Sequence, residues 1–491
     1  MHSKVVPQQA AIAATSKWRR LVTVSGYWKA LIILFLLTLP FLHGEVEGDG
    51  IGYYAYLRSP LIDHNLAFAT DWKDPHDVDR LTFATDWKDP HEVDRTLMKH
   101  VWENPVRRPG HLPNYFSVGP AILWSPFVVS THVVVLALSY LGVYVIPDGK
   151  SQPYMCVMAM ATALYGFAGL CISFSIARRF VDERWAFWAT VGVWLGTSLP
   201  VYMYLHTSWP HALSAFATSL FLWYWLRTRQ ERTGRQWLIL GLLAGLMIEV
   251  YYLSIVFLLG PLWEAACAYL ALWRDHADEL NRTGKILRLH LLGVLGALVA
   301  LLPTFIAKQI VFGSPFAAGP YSLRLWNWRA PVFGRVLFSA SHGLLVFTPI
   351  LLLAFLGFFY LYRLNRTVGT ICLCVVLAFY GLVSSYPGWS GVFGFGNRYF
   401  VSLTPLFVLG LACALAFAER FWRDHRRASL RLVPLILTFV IWNLGLVYQW
   451  RTHLMPTRSA VYWDEVIYVQ FPDVPMQALH DLVAKFFPQS N

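Results

Sequence analysis

The chain contains 491 residues, of which 56% are hydrophobic, 16% aromatic and only 14% charged. Soluble globular domains carry about 25% charged residues, so this composition, with a mean hydropathy of +0.47, excludes an ordinary soluble protein and predicts an all-α, multi-pass integral membrane protein. The formal net charge is +12, but the basic residues form short clusters between apolar segments, which is typical of cytoplasmic loops rather than of a nucleic-acid-binding surface. We therefore expect membrane lipids, and no nucleic acid, among its partners.

Eleven apolar segments are long enough to cross a bilayer, which takes about 20 apolar residues per helix. They lie at 27–44, 153–177, 185–205, 211–227, 237–250, 252–273, 290–312, 343–362, 368–385, 399–418 and 432–450. Together they define a transmembrane module over residues 27–450. Residues 1–26 show no cleavage site of a signal peptide, so we expect the first span to be retained as an anchor. All six cysteines lie inside apolar segments, without the spacing of a metal site or a disulfide framework.

Loop charge sets the predicted orientation. With eleven spans and a cytoplasmic N-terminus, every loop on the inner side holds at least two arginines, as the positive-inside rule requires. A further apolar segment, 118–146, would reverse this pattern if it crossed, so we predict a re-entrant or interfacial helix there. The outer side then holds a large first loop at 45–152 with juxtamembrane helices, smaller loops at 206–211, 313–342 and 386–398, and the C-terminal tail 451–491.

The first outer loop opens with an acidic motif, EVEGDGIGYY, directly after the first span. A partly desolvated carboxylate at a membrane surface has its pKa moved towards the range that a general base needs. Asp49 lies between two glycines that let a substrate approach the backbone, so it is the expected base, and Glu47 is the second candidate. Two alternatives stay open: Glu45 is the base, or the carboxylates form a solvated loop that only marks the end of a helix.

The residues after the acidic motif have the spacing of a short helix, since Tyr53 and Tyr56 are three apart while Tyr54 and Arg58 are four apart. One face of this helix would look back towards Asp49. We expect Tyr53, Tyr54 and Arg58 to bind substrate by stacking and hydrogen bonds. The alternative is that the aromatic residues only anchor the helix in the membrane interface.

A duplication follows in the same loop, residues 66–95. LAFATDWKDPHDVDR (Leu66–Arg80) is followed directly by LTFATDWKDPHEVDR (Leu81–Arg95), and the copies differ only at their second and twelfth positions. Their His, Asp and Lys residues allow a metal or sugar site, but a tandem duplication in a surface loop is the simpler interpretation, because insertions there cost little closure entropy. We expect this part of the loop to lie outside the catalytic core.

Other outer regions carry candidate anion-binding groups. The loop YPGWSGVFGFGNRY is rich in glycine and holds Arg398 near its end, and free backbone N–H groups beside a guanidinium suit a phosphate; a tight aromatic turn with a snorkelling arginine is the alternative. His211, Arg324 and His342 lie in or beside other outer loops, where they would stabilise a leaving phosphate. Glu249 lies near the outer end of an apolar segment, where an unpaired charge is costly, so we expect it to be paired or protonated.

These segments, in chain order, resemble the GT-C superfamily of membrane glycosyltransferases, which includes protein O-mannosyltransferases and bacterial lipid A aminoarabinose transferases. The resemblance rests on GDGIGYYAYLRS after the first span, PNYFSVGPAILWSPF at the end of the first loop, ARRFVDERWAF, SHGLLVFTPILLLAFLGF and WSGVFGFGNRYFVSLTPLFVLGLA. It implies an enzyme of the bacterial inner membrane, active on the outer face, that transfers a hexosyl or pentosyl group by inverting displacement. The donor would be a polyprenyl-phosphate-linked sugar, and the acceptor a hydroxyl of a lipid, glycan or protein.

Carried over by position, the resemblance makes Asp49 the catalytic carboxylate, places Tyr53 and Arg58 on the first juxtamembrane helix, and puts Arg398 at the donor phosphate. Many relatives have an acidic residue in the second outer loop, where this chain has His206 and His211, so metal dependence of that kind is not supported. We expect no cofactor and no metal-ligand residues, and leave dependence on a divalent metal open.

Two other function classes compete with an enzyme. A transporter or flippase for a lipid-linked saccharide would use the same lipid and the same arginines without a base, but transporters tend to show inverted repeats and mid-membrane charges, and here the charges crowd towards one face. A structural assembly protein would have no active site. No P-loop, dinucleotide-binding motif, HExxH or Ser-His-Asp signature is present, so a nucleotide-dependent mechanism on the cytoplasmic side has no visible site.

Overall fold

The structure, a computed structural model, describes residues 26–71, 108–229, 231–274, 279–391, 394–422, 424–456 and 461–486. Within these ranges every regular element is helical and no residue belongs to a β-strand, which confirms the predicted all-α class. Most of the predicted cytoplasmic N-terminus and residues 72–95 of the duplication lie outside the described residues.

Fourteen helices in the described ranges have ten residues or more, and we number them in chain order. They are α1 (Gly26–Thr38), α2 (Asp49–Arg58), α3 (Gly119–Tyr140), α4 (Gln152–Ala177), α5 (Glu183–Leu195), α6 (His211–Thr228), α7 (Gly234–Val250), α8 (Leu259–Arg274), α9 (Glu279–Phe312), α10 (Leu351–Leu364), α11 (Arg366–Ser385), α12 (Thr404–Glu419), α13 (His425–Arg451) and α14 (Asp473–Phe486). Shorter helical turns that border the candidate site are Ser59–Asp63, Val201–Leu205, Tyr252–Leu258, Leu323–Leu325 and Arg398–Leu403.

Seven stretches of the described chain are long and apolar enough to cross a membrane. They are Gly119–Tyr140, Gln152–Ala177, Tyr252–Trp273, Arg282–Phe312, Arg366–Ser385, Arg398–Glu419 and His425–Arg451. The segment Gly26–Phe41 and helix α10 are apolar but shorter. The protein is therefore a multi-pass membrane protein, whereas the predicted count of eleven spans stays a prediction.

The chain divides into two units, residues 1–40 and residues 41–491. In the first unit, the described part is α1 and the start of the turn after it, and the Thr38 hydroxyl donates a hydrogen bond of 2.7 Å to the Phe35 carbonyl. All other helices, and all the candidate site residues, belong to the second unit.

Close helix crossings give the second unit its frame. A Cβ on Gly241 of α7 would lie 1.9 Å from the Gly293 carbonyl oxygen of α9, and one on Gly357 of α10 would lie 1.7 Å from the Gly410 carbonyl oxygen of α12. Only glycine allows backbones to approach so closely. Small residues at such crossings are typical of membrane helices, which pack by close contact because lipid provides no hydrophobic drive between them.

Polar contacts of the second unit separate to opposite ends of its helices. Helix α6 starts beside the loop that contacts Glu47 and ends beside Arg232, whose guanidinium pairs with Glu264 at 2.6 Å. Helix α12 follows the turn that begins with Arg398 and ends at Glu419, which accepts a hydrogen bond from Arg184. Polar contacts of the predicted outer loops therefore lie at one end of these helices, and polar contacts near the predicted inner loops lie at the other. The assignment of the first end to the outside stays a prediction.

Helix α3 contains most of the segment for which an interfacial helix is predicted. Trp124 donates a hydrogen bond of 2.8 Å to the Thr162 hydroxyl, and His132 lies 2.7 Å from the Tyr154 hydroxyl. The later residue of α3, His132, contacts the earlier residue of α4, Tyr154. Helix α3 therefore runs antiparallel to the first half of α4. With 22 residues α3 is also long enough to cross a bilayer, and its interfacial placement stays a prediction.

Candidate active site

The acidic loop packs directly on the loop between α5 and α6. Gly48 has a φ of +53°, and a Cβ there would lie 3.0 Å from the Trp209 ring, while a Cβ on Gly50 would lie 2.0 Å from the Ser208 hydroxyl. A side chain at position 48 would be strained by its backbone angle, and one at position 50 would displace Ser208. The two glycines around Asp49 therefore serve a close contact between loops.

Asp49, the first residue of α2, forms an ion pair with Arg398. Its Oδ2 lies 2.7 Å from Arg398 Nη2, and the side chains are 28% and 11% exposed, respectively. The guanidinium also lies over the Trp209 ring, 4.2 Å from its centroid, which is a favourable position for a cation on an aromatic face. The expected base and the expected phosphate-binding cation, far apart in sequence, are thus direct neighbours.

Two nitrogens of Arg398 have no hydrogen-bond partner among the described residues. Its Nε and Nη1 are buried and make no hydrogen bond within the described part of the chain. An arginine has five N–H donors in a fixed planar array, and leaving buried donors unpaired costs free energy. Buried guanidinium donors of this kind are suited to bind an anion.

The glycine-rich loop encloses the arginine. Gly391 has a φ of +71°, and a Cβ there would lie 2.9 Å from Arg398 Nε; at Gly394 a Cβ would lie 2.8 Å from the Tyr202 hydroxyl. That hydroxyl donates a hydrogen bond of 3.2 Å to the Phe395 carbonyl. The glycines let the backbone lie against the guanidinium, and the phosphate-binding role of the loop stays a prediction; residues 392 and 393 lie outside the described residues.

Glu47 is tied to the neighbouring histidine. Its Oε1 lies 2.7 Å from His206 Nδ1, and its carbonyl accepts a hydrogen bond of 2.9 Å from the Trp209 indole. The hydrogen bond from His206 lowers the pKa of Glu47 and outweighs the opposite effect of burial. Glu47 is therefore held as a carboxylate with one oxygen engaged, as Asp49 is by Arg398, and the choice between them as the base stays a prediction.

Tyr53 lies on the side of α2 that faces the site. Its ring packs on Phe116, with centroids 4.6 Å apart, and only 6% of the residue is exposed. Burial and, secondly, the charge of Asp49 raise the pKa of Tyr53 well above its usual value. The phenol therefore stays protonated and is available as a hydrogen-bond donor beside the acidic motif.

Tyr54 and Arg58 are engaged elsewhere. The Tyr54 hydroxyl donates a hydrogen bond of 2.8 Å to the Gly149 carbonyl. The Arg58 guanidinium meets Asp63 and Asp71, far along α2 from Asp49. Both side chains thus stabilise the predicted first outer loop, and their predicted contacts with substrate stay predictions.

The three scattered basic candidates occupy different positions. His211 is buried against the rings of Tyr202 and Tyr251, at 4.6 and 5.3 Å, and its Nδ1 makes no hydrogen bond within the described chain. Arg324 is exposed on a turn whose neighbour Trp326 packs on Tyr386. His342 is buried beside a small cavity that it shares with Phe395, Gly396 and Trp450. Of these three residues, only His211 belongs to the aromatic cluster that Trp209 forms with Tyr202 and His211.

Sequence reasoning missed Trp209, which contacts three parts of the site. Its ring covers Arg398, its indole N–H holds the Glu47 carbonyl, and it packs against Gly48. A signal was present: the residue lies between the two histidines of HTSWPH, in a loop assigned to the same face as Asp49. Such a tryptophan is ordinarily explained as an interface anchor.

Two further findings concern metal sites and similarity to known proteins. No group of three or more His, Cys, Asp or Glu residues in the described ranges is arranged to hold a metal ion. Comparison with models of protein families and with curated proteins finds no match to this chain.

Proposed function

We propose that this protein is a glycosyltransferase that moves a sugar from a polyprenyl-phosphate donor to a hydroxyl acceptor, with inversion at the anomeric carbon. The observation that carries the proposal is the Asp49–Arg398 pair. A partly exposed carboxylate lies 2.7 Å from a buried guanidinium that keeps two nitrogens without partners in the described chain. A base for the attacking hydroxyl and a cation for the leaving phosphate therefore lie side by side.

The donor phosphate would bind to the unused face of Arg398. Guanidinium–phosphate hydrogen bonds are charge-assisted and often bidentate, so the two unused donors match a phosphate. The glycine loop gives the phosphate access to the backbone, and Trp209 fixes the guanidinium plane. A phosphate on a polyprenyl chain lies at the depth where membrane-spanning helices end, which is also the position of this site, so the hydrocarbon chain stays in lipid.

In the reaction, Asp49 accepts the proton of the acceptor hydroxyl while the hydroxyl oxygen attacks the anomeric carbon from the face opposite the phosphate. The bond between the anomeric carbon and the phosphate oxygen breaks, and its electron pair stays on that oxygen. Arg398 stabilises the negative charge that develops there. Positioning and electrostatics supply most of the acceleration, since no covalent intermediate with the protein forms.

The ion pair would also fix the base relative to the donor. Arg398 Nη2 holds one oxygen of the Asp49 carboxylate, while Nε and Nη1 would bind the phosphate. The second carboxylate oxygen would accept the proton of the acceptor hydroxyl.

The test is transfer from a panel of radiolabelled polyprenyl-phosphate sugars by the purified chain in lipid, with lipid extracts as acceptors. The expected result is transfer by the wild type and its loss in Asp49→Asn, with donor binding retained. Glu45→Gln is the matched control, because its carboxylate is 61% exposed and pairs only with His43, at 3.2 Å, in the described chain.

Two outcomes would count against the proposal. Donor binding without transfer in either protein, together with movement of the labelled lipid across the bilayer, would establish a transporter or flippase. Equal transfer by the wild type and Asp49→Asn would remove Asp49 as the base.

A further inference from the structure

The first copy of the duplicated sequence is partly buried in the fold. Phe68 is fully buried, with its ring edge-on to Tyr56 at 5.2 Å. It has a φ of +60°, a conformation that costs free energy for a residue with a side chain and persists only where the surroundings impose it. Phe68 is therefore held firmly in place by its contacts.

The next residues of that copy dock at the C-terminal end of α2. The Thr70 hydroxyl contacts both Arg58 and Asp63, and its carbonyl accepts a hydrogen bond from Lys150. Asp71 Oδ1 lies 3.4 Å from the Arg58 guanidinium. We call the receiving residues Tyr56, Arg58, Asp63, Leu112 and Lys150 the FATD socket, after the segment Phe68–Asp71 that it holds.

The second copy carries the same recognition residues. Phe83, Ala84, Thr85 and Asp86 repeat Phe68–Asp71 without change. The nearest difference is Thr82 in place of Ala67. Ala67 takes part through its backbone, since its carbonyl accepts a hydrogen bond of 3.0 Å from the Leu112 amide, and threonine offers the same carbonyl.

We propose that the FATD socket is an intramolecular binding site that accepts either copy, so that Phe83–Asp86 can take the place of Phe68–Asp71. The duplication would then provide the fold with a second, equivalent anchor for its first outer loop.

Chain connectivity permits the exchange. With the first copy bound, residues 72–107 connect the socket to Arg108; with the second copy bound, residues 87–107 do so, and the first copy joins the loop after Asp63. Closure entropy changes only with the logarithm of loop length, so neither arrangement is strongly disfavoured. One local contact favours the first copy, because Asn65 Oδ1 accepts a hydrogen bond of 2.8 Å from the Ala67 amide, and Arg80 occupies the corresponding position before the second copy.

The test compares Phe68→Ala, Phe83→Ala and the double variant of the whole chain in detergent. The measurements are the thermal unfolding midpoint and the amide hydrogen exchange of α2. We expect each single variant to unfold within about 1 °C of the wild type, because an intact copy can fill the socket. The double variant should unfold several degrees lower, with exchange in α2 faster by about tenfold or more.

Two results would overturn the proposal. In the first, Phe68→Ala unfolds at as low a temperature as the double variant while Phe83→Ala resembles the wild type. In the second, the double variant unfolds at the temperature of the wild type. If the double variant does not fold, pulse proteolysis in membranes compares Phe68→Ala in the complete chain with Phe68→Ala in a chain that lacks residues 81–95. Resistance of the first and cleavage of the second would support exchange, and equal cleavage would exclude it.

Discussion

The two ends of α2 carry the same pair of residue types and use them differently. At the first residue, Asp49 meets Arg398, whose Nε and Nη1 have no hydrogen-bond partner in the described chain. At the last residue, Arg58 Nη1 contacts Asp63, Thr70 and Asp71, and its Nε donates a hydrogen bond of 3.2 Å to the Asp148 carbonyl. One guanidinium has spare donors and the other is engaged by four protein groups.

On the proposed function, the difference separates a ligand-binding ion pair from a structural one. The Arg58 guanidinium contacts four protein groups, although Asp71 Oδ2 makes no hydrogen bond in the described chain. The Arg398 guanidinium has buried donors without partners in the described chain, which is unfavourable unless an anion binds. The comparison therefore predicts that changes at the Asp49 end affect activity and that changes at the Arg58 end affect stability.

The largest effect is expected for Asp49→Asn. The amide keeps the shape of the side chain but cannot accept the acceptor proton, so transfer should fall by about 10²- to 10⁴-fold, the range for loss of a general base. Arg398 would lose its anionic partner in a buried position, so the unfolding temperature should fall as well, and rates are compared per folded molecule. Initial rates of sugar transfer at saturating donor measure this, with Glu45→Gln as control, and a loss below threefold would show that Asp49 is not the base.

Arg398→Gln should reduce transfer by about 10²- to 10³-fold, because the leaving phosphate loses its charge partner. Donor affinity should fall as well, unlike in Asp49→Asn. Equilibrium binding of labelled donor, measured beside the transfer rate, separates the two variants. The matched control is Arg329→Gln, an exposed arginine of the same predicted outer face, which should bind donor normally; equal loss in both would point to general surface charge.

Arg58→Gln is expected to act through stability alone. Asp71 would lose its cationic partner in a buried position, since its side chain is only 3% exposed, and breaking such pairs typically costs about 3 kcal/mol or more. Chemical unfolding should show this loss, while transfer per folded molecule stays within about twofold of the wild type. A variant that folds normally yet fails to bind donor would instead place Arg58 at the substrate, as the helix spacing of the sequence predicts.

The sequence was sufficient to select Asp49 and Arg398 as candidates on one predicted face. The acidic motif follows the first apolar segment, and Arg398 lies in a loop that the positive-inside rule assigns to the same face. Their direct contact was not predicted, because charge and topology do not reveal how two distant loops pack, and their roles stay predictions.

The Arg58 end was less predictable. Spacing places Arg58 on a helix, but periodicity does not reveal which distant segment covers that face. Its partner Asp71 lies in a repeat, which is explained most simply as a surface insertion. The role of Trp209 was hidden for the same reason, because its contact with Arg398 depends on how two distant loops pack.

A smaller effect is expected for Trp209→Phe. Phenylalanine keeps a ring beneath Arg398 but loses the indole N–H that holds the Glu47 carbonyl, and it attracts a cation less strongly than tryptophan does. Transfer should fall by about two- to tenfold. Trp328→Phe is the control, since its indole also donates to a carbonyl, that of Leu323 at 2.8 Å, but in another outer loop. If both substitutions have equal effects, Trp209 does not position the arginine.

The smallest effect is a pH dependence of stability at the Arg58 end. Burial, opposed by Arg58, raises the pKa of Asp71 to about 6, and its Oδ2 makes no hydrogen bond in the described chain. Because the pKa is higher in the folded than in the unfolded protein, the contribution of Asp71 to stability is complete below about pH 4 and is lost as pH rises through 6. The unfolding midpoint of Asp71→Asn/Asp86→Asn, subtracted from that of the wild type at each pH, should therefore show a component that decreases between pH 4 and pH 7. Asparagine is needed in both copies, since the socket is proposed to accept either copy. A difference in unfolding midpoint that does not change with pH would contradict the prediction.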